Sequence, residues 1–256
     1  KCTFWGMTNR IPLIFAWSGG KDSAYALHQL QKDEKYTVRY LLSTINGNNR
    51  RLSMHGIREE LIEAQASATG IPLLKVYVYE GNNPEYERQM RDTLLKVKAE
   101  GISAVAFGDI FLEDLRIYRE NQMKQIGMDC LFPIWKKDTC QLVRSFIAEG
   151  FKTLICCVND GFLDESYCGR LLDEVFVKEL PSGVDPCGEN GEFHSFCFDG
   201  PVFRKALRIS VGEKIYMPLA VNTAGESTPS KIADTKGFWY CDLLLKGQNE
   251  SGAAAV

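Results

Sequence analysis

The hexapeptide Ser18-Gly19-Gly20-Lys21-Asp22-Ser23 stands between a short apolar run, Pro12–Trp17, and a segment of helical period, Asp22–Gln31. A strand that turns into a helix through two glycines commits a chain to an α/β arrangement at that point. Free N–H groups and the positive end of the helix dipole then converge on the turn, which suits a polyanion. The glycines let backbone approach phosphate oxygens closely. Ser18 and Ser23 add hydroxyl donors, Lys21 a point charge, and Asp22 a carboxylate able to hold Mg²⁺. At average residue frequencies six specified residues recur in a chain this long at a rate of about 10⁻⁵, so an incidental turn does not account for them. The loop is not a Walker A loop. Phe15 stands where that motif has its first Gly, and Asp22 where it has Ser or Thr. It also lacks G-x-G-x-x-G.

Apolar runs rich in β-branched residues recur at Pro12–Trp17, Val38–Ile45, Leu73–Val78, Ala104–Phe107 and Thr153–Val158. Segments of helical period separate them: Asp22–Gln31, Ile57–Thr69, Pro84–Glu100, Leu112–Ile126 and Asp138–Glu149. In Ile57–Thr69 the apolar residues Ile57, Leu61, Ala64 and Ala68 fall at spacings of four, three and four. Asp138 reads as a helix cap, and Gly101, Gly127 and Gly150 as stops. Such alternation predicts βαβ units and a mostly parallel sheet with both faces covered. After about residue 160 the pattern changes. Glycines and prolines cluster over 181–201, and β-like runs follow at Phe193–Phe198, Ala206–Val211 and Phe238–Leu245. The polar stretch 222–237 reads as a loop. The expected division is a nucleotide-type α/β domain over 1–128, a smaller α+β domain over 129–245, and a loose tail over 246–256. Lys1 reads as a trimmed or tagged start.

The formal net charge is −3, which speaks against nucleic acid or anionic lipid as a partner. The longest apolar run near the N-terminus is seven residues, Ile11–Trp17, far short of a membrane span. None of the nine cysteines is spaced C-x-x-C, and several lie in apolar runs such as Leu154-Ile155-Cys156-Cys157-Val158. They read as small core residues of a protein from the reducing cytosol, not as metal ligands. Homo-oligomerisation stays open.

A second constellation is Gly188-Glu189-Asn190-Gly191-Glu192-Phe193-His194-Ser195. Two carboxylates, a carboxamide and an imidazole fall within six residues, enough to orient an amine and relay protons. A solvated β-turn is the bland alternative. On a strand, His194, Phe196 and Phe198 share one face, and Phe193, Ser195 and Cys197 the other. Gly108-Asp109 ends a strand at the carboxyl edge of the sheet, where ligands bind in open α/β folds. Asp109 is a candidate for Mg²⁺ or a ribose hydroxyl, or else a helix cap. Thr44 and Asn46 at the end of the second strand are candidates for the adenine side, or else an ordinary turn. His55 caps a helix or faces the nucleotide. Arg116 and Arg119 share a helix face and could grip phosphate, or be solvated. Glu120 could pair with Lys124.

The hexapeptide resembles the PP-loop of the ATP pyrophosphatase superfamily. The second constellation, followed by Phe198-Asp199-Gly200-Pro201-Val202-Phe203, closely resembles the signature of the diphthine–ammonia ligase family. Gly108-Asp109-Ile110, Leu131-Phe132-Pro133-Ile134-Trp135, Gln65-Ala66 and Gly70-Ile71-Pro72-Leu73 are similar to further family segments, so the likeness runs from Ile11 to Leu245. It implies a Rossmann-like (HUP/PP-loop) N-terminal domain and a smaller acceptor domain. It further implies ATP and Mg²⁺ as cofactors, free ammonium as nitrogen donor, and acyl-adenylate chemistry that releases pyrophosphate and AMP. The implied acceptor is diphthine on elongation factor 2. Lys21, Asp22, Glu189, Glu192 and His194 are then the catalytic candidates. ATP would lie on Ser18, Gly19, Gly20, Lys21, Asp22, Ser23, Thr44, Asn46, His55, Gly108 and Asp109. The acceptor would lie on Gly188, Glu189, Asn190, Gly191, Glu192 and His194, with Mg²⁺ on Asp22. The rival readings are a related PP-loop ligase for another carboxylate or for tRNA, and an ATP-binding sensor without turnover.

Overall fold

A computed structural model describes residues 10–52, 55–79, 83–219 and 235–246. The expected loop over 222–237, the tail and the first nine residues lie wholly or largely outside them. Five strands pair in parallel in the order β4-β2-β1-β5-β6. They are β1 (Ile11–Ala16), β2 (Tyr36–Asn46), β4 (Leu73–Val78), β5 (Ala104–Ala106) and β6 (Asp129–Leu131). A two-residue strand, β3 (Arg51–Leu52), pairs antiparallel with the end of β2. The helices between them are α1 (Lys21–Lys32), α2 (Glu59–Thr69), α3 (Asn83–Ala99) and α4 (Glu113–Gln125). Side chains of β1 alternate between two apolar layers. Leu13 and Phe15 join α1 and α2, while Ile14 joins α3 and α4. Both faces are therefore covered, which is why these strands carry no polar alternation. Among the described residues no helix is long and apolar enough to cross a membrane.

The second sheet is antiparallel, in the order β8-β7-β10-β9. Its strands are β7 (Lys152–Asn159), β8 (Phe193–Asp199), β9 (Ile209–Pro218) and β10 (Gly237–Leu245). Helix α5 (Thr139–Ala148) leads into β7, and the short α6 (Glu174–Glu179) lies between β7 and β8. Asp138 caps α5, its carboxylate accepting from Gln141 N–H at 2.8 Å. The strand expected over Ala206–Val211 begins later, at Ile209, and runs on to Pro218 because its partner β10 is that long. β6 lies just past residue 128 yet belongs to the first sheet, with Val105 paired to Cys130.

The two sheets share one core. Leu13, Phe15 and Trp17 of the first meet Ile155, Phe196 and Cys197 of the second in a continuous apolar cluster. Phe146 of α5 stacks on Phe151 at 4.5 Å and meets Tyr25 of α1 edge-on at 6.2 Å. Phe146→Ala should remove about 3 to 5 kcal/mol of stability. At about 2 to 4 °C per kcal/mol for a chain of this size, the thermal midpoint should fall by about 10 °C. A fall under about 2 °C in a melting experiment would show that this ring stack does not join the two layers.

Candidate active site

The order β2-β1-β5 places a topological switch between β1 and β5, and the crevice outside their carboxyl ends is where open α/β sheets bind ligands. The loop 17–20 leaves β1 at this point. Gly20 is the N-cap of α1 in extended conformation, with no side chain capping the helix. Gly19 takes φ +73°, and a Cβ there would lie 2.5 Å from Gln65 Oε1, so only glycine fits. Gly108, at the end of β5, approaches the first turn of α1 so closely that a Cβ would meet backbone of Asp22 and Ser23 at 3.1 Å. Its part is close packing of the loop's helix. Ser23 Oγ donates to Gly20 O at 2.9 Å, and Ser18 Oγ to Ser23 Oγ at 3.1 Å, bracing the turn.

Strand β8 lies directly on this loop. Lys21 N–H donates to Ser195 Oγ at 3.2 Å, and Cys197 N–H to Gly19 O at 2.8 Å. The two constellations, 174 residues apart at Lys21 and Ser195, form one site. His194 and His55 pack ring to ring, centroids 4.6 Å apart. His55 Nε2 reaches within 3.5 Å of where a Gly20 Cβ would stand, so His55 faces the loop; Arg58 is the N-cap of α2. Burial, then His55 and Lys21, push the His194 pKa well below the usual imidazole value, so it is neutral at pH 7.

Lys21 is buried, with 3% of its surface exposed. Its ammonium donates to Asp22 Oδ2 at 2.7 Å and sits over the Phe193 ring at 5.4 Å. Burial pulls its pKa down, but Asp22, with help from Glu189, more than reverses this and holds it at about 12. The Asp22 carboxyl is pushed up by burial and by Asp185 and Asp109, against the pull of Lys21. Glu189 is pushed up to about 7 by burial and then by Asp22. Its Oε1 accepts from Ile110 N–H at 2.8 Å and, longer, from Phe111 N–H at 3.4 Å, which ties the 188–192 turn to the end of β5. Asp22 Oδ1 is buried with no hydrogen-bond partner.

The other expected residues make contacts of their own. Glu192 is fully buried, and its oxygens accept from Asp185 N–H, Asn190 N–H and Asn190 Nδ2 within their own loop. It staples the loop, with Asn190 as partner and Gly188 and Gly191 at positive φ turning the chain. Asn46 Oδ1 accepts from Asn48 and Asn49 N–H and so forms a turn. Asp109 is neither a cap nor free: Arg119 Nε reaches its Oδ2 at 2.7 Å, and Leu112 is the N-cap of α4. Arg116 pairs with Glu120, and its guanidinium lies over the adjoining Phe132 and Trp135 rings. Thr44 lines a cavity of about 390 Å³ between the sheet and helices α3 and α4, with Ala16, Leu42, Met90, Phe107 and Arg119. Sequence reasoning missed Gln65 and Asp185 as parts of the site. The signal for Gln65 was a carboxamide four residues after core Leu61, on the buried face of α2.

A glycine-rich loop on a switch-point crevice, with β8 of the antiparallel sheet laid against it and His194 and His55 beside it, makes a two-part site suited to a polyanion. Residues 12–130 match the diphthamide synthase N-terminal domain, and residues 138–222 the diphthamide synthase C-terminal domain. The diphthine–ammonia ligase of Rattus norvegicus is 27% identical over 251 residues, 86% of this chain and 93% of the relative. That of Homo sapiens is 26% identical over 224 residues, 77% and 82% of the two chains. The chain belongs to the diphthine–ammonia ligase family.

The raised Glu189 pKa has a consequence for stability. Between its ordinary value of 4.5 and about 7, the folded chain keeps a proton that the unfolded chain has released. Glu189 therefore costs stability as pH rises through that window. Glu189→Gln keeps an acceptor for Ile110 and removes the cost. The melting temperature of the variant relative to wild type should be more favourable at about pH 8 than at about pH 4.5. An equal difference at both would exclude the raised pKa.

Proposed function

We propose that this chain is an ATP-dependent carboxylate–ammonia ligase. ATP lies with its phosphates on residues 18–23, and a substrate carboxylate attacks the α-phosphate to give an acyl-adenylate and pyrophosphate. Ammonia then displaces AMP to leave the amide. The names of the relatives suggest diphthine as the acceptor and the names of the matched domains diphthamide as the product; elongation factor 2 as the protein that carries it comes from the family resemblance alone. The contact of β8 with the phosphate loop carries the reading, because it puts the groups suited to the acceptor and amine beside those suited to phosphate.

The site chemistry supports each part. The cavity beside Thr44, where Leu42, Met90 and Phe107 meet polar side chains such as Arg119 and Gln122, suits an adenine ring. Lys21 and the start of α1 would stabilise charge developing on the phosphates. The acidic groups around Lys21 outnumber it, a field that favours cations such as Mg²⁺ and ammonium. The orphaned Asp22 Oδ1 fits Mg²⁺ held by one carboxylate and substrate phosphates. Among the described residues no group of three or more His, Cys, Asp or Glu could hold a metal ion. Bound there, the ion would neutralise phosphate charge. Glu189, poised near neutrality, can take the proton that ammonium or the attacking amine must lose, and neutral His194 can orient that amine by hydrogen bonding. Glu192 shapes the loop and moves no proton in this scheme. The first domain, with β6, serves ATP, and the remainder of the chain up to 245 serves the acceptor.

The test is release of pyrophosphate and AMP with diphthine-bearing elongation factor 2, Mg²⁺ and ammonium. Lys21→Met should lower the rate by at least about 100-fold in a folded protein. His194→Ala should keep ATP affinity and lose amide formation. ATP binding without AMP formation on any carboxylate acceptor would leave a sensor. Dependence on glutamine alone would reject the direct use of ammonia.

A further inference from the structure

The Gly19–Gly20 peptide is restrained from behind. The Gly19 carbonyl accepts from Cys197 N–H at 2.8 Å and from Gln65 Nε2 at 2.9 Å. In a planar trans peptide the C=O and the following N–H point in opposite directions. With its carbonyl tied toward α2 and β8, this peptide turns the Gly20 N–H the other way. There it makes a long contact of 3.4 Å to Ser18 Oγ.

Gln65 is fully buried, and its amide has one allowed orientation. Trp17 Nε1–H donates to Gln65 Oε1 at 2.9 Å. The NH₂ group is thereby left for two carbonyls, Gly19 O at 2.9 Å and Cys197 O at 2.6 Å. Turning the amide over would set oxygen against both carbonyls and strand the indole N–H. The same amide fills the space a Gly19 side chain would need. An apolar side chain could fill that volume, but it could not hold the carbonyls.

Resting on the reading of 18–23 as the ATP phosphate site, we propose that Gln65 is a positioning residue for that reaction. Its amide, oriented by Trp17, holds the Gly19 carbonyl away from the phosphates and aims the Gly20 N–H at them. By gripping Cys197 O with the same NH₂, it also fixes how the acceptor strand sits on the loop. Without this donor only Cys197 N–H holds the Gly19 carbonyl, and the Gly19–Gly20 peptide resists less a rotation that would present an oxygen where phosphate needs an N–H.

Calorimetric titration of the full chain with Mg²⁺-ATP tests this, with thermal melting and near-UV circular dichroism to establish the folded fraction. Gln65→Met and Gln65→Glu are near-isosteric and both lose the NH₂. Each should weaken ATP binding by about tenfold or more per folded molecule. The Gln65→Glu loss should deepen from about pH 6 to about pH 9, as the carboxyl ionises and gives up its O–H donor; the Gln65→Met loss should not. Trp17→Phe leaves the amide in place but free to turn, and should weaken binding in the same direction by a smaller factor. It carries the test if the Gln65 variants do not fold. Lower melting temperatures with wild-type ATP affinity would overturn the proposal while leaving the phosphate site intact. A folded wild type that binds no ATP would overturn the reading of the loop, and the proposal with it.

Discussion

The Gly19 carbonyl is one acceptor atom held by two segments far away in the chain. Cys197 reaches it from β8, and Gln65 reaches it from α2. A single such bond contributes only about 1 kcal/mol net, but a buried polar group left unpaired costs more. Sliding β8 along the loop would break both bonds to the strand backbone and the one to Lys21 N–H together. The register between the parallel and antiparallel sheets is therefore fixed at the place where chemistry would occur. The shared apolar core supplies much of the cohesion, but burial is non-directional and would tolerate a shift.

Charge in the site follows from the same packing. Lys21 is nearly inaccessible yet charged, because Asp22 sits 2.7 Å from its ammonium and Glu189 adds to the same field. The acids are in turn less acidic than usual, since burial and mutual repulsion outweigh one lysine. The imidazole side behaves in the opposite sense. His194 lies near His55 and Lys21 and stays neutral. A cation is drawn toward the acids, while the imidazole side carries no charge of its own. Under the proposed reaction that separation would suit an amine that arrives as ammonium and reacts as ammonia.

Much of the first sheet was legible because its strands are apolar on both faces and its helices keep a regular period. The loop 18–23 was legible as a strand-to-helix turn because its residues are contiguous. Elements of two to six residues, β3, β6 and α6, carry too few side chains to show a period. Contact between Ser195 and Lys21 was beyond reach, since nothing in either segment encodes pairing across 174 residues. The strand-face expectation for β8 was clean, but the register with β7 shifts twice, and His194 and Ser195 both end up near the loop. Glu192 illustrates a limit of composition: its carboxylate looks like that of Glu189, and only its local donors mark it as a loop staple. Gln65 was hidden because helical period marks which residues are inside, not what a polar one does there.

Part of what seats β8 against the loop and α2 is strand backbone. Cys197 N–H and C=O bond to Gly19 and Gln65, and the Ser195 carbonyl packs on Gly20. Main-chain contacts do not depend on which side chains the strand carries. Sequence can therefore drift along β8 without loosening the grip on the loop, provided the strand stays extended and the loop keeps its glycines. On those terms much of the sequence around the site can change while the seat of β8 on the loop persists. The positions that cannot drift are those where a side chain stands in for backbone. Gln65 is one, because its amide bonds carbonyls as a peptide would, and Ser195 is another, because its hydroxyl receives the first N–H of α1.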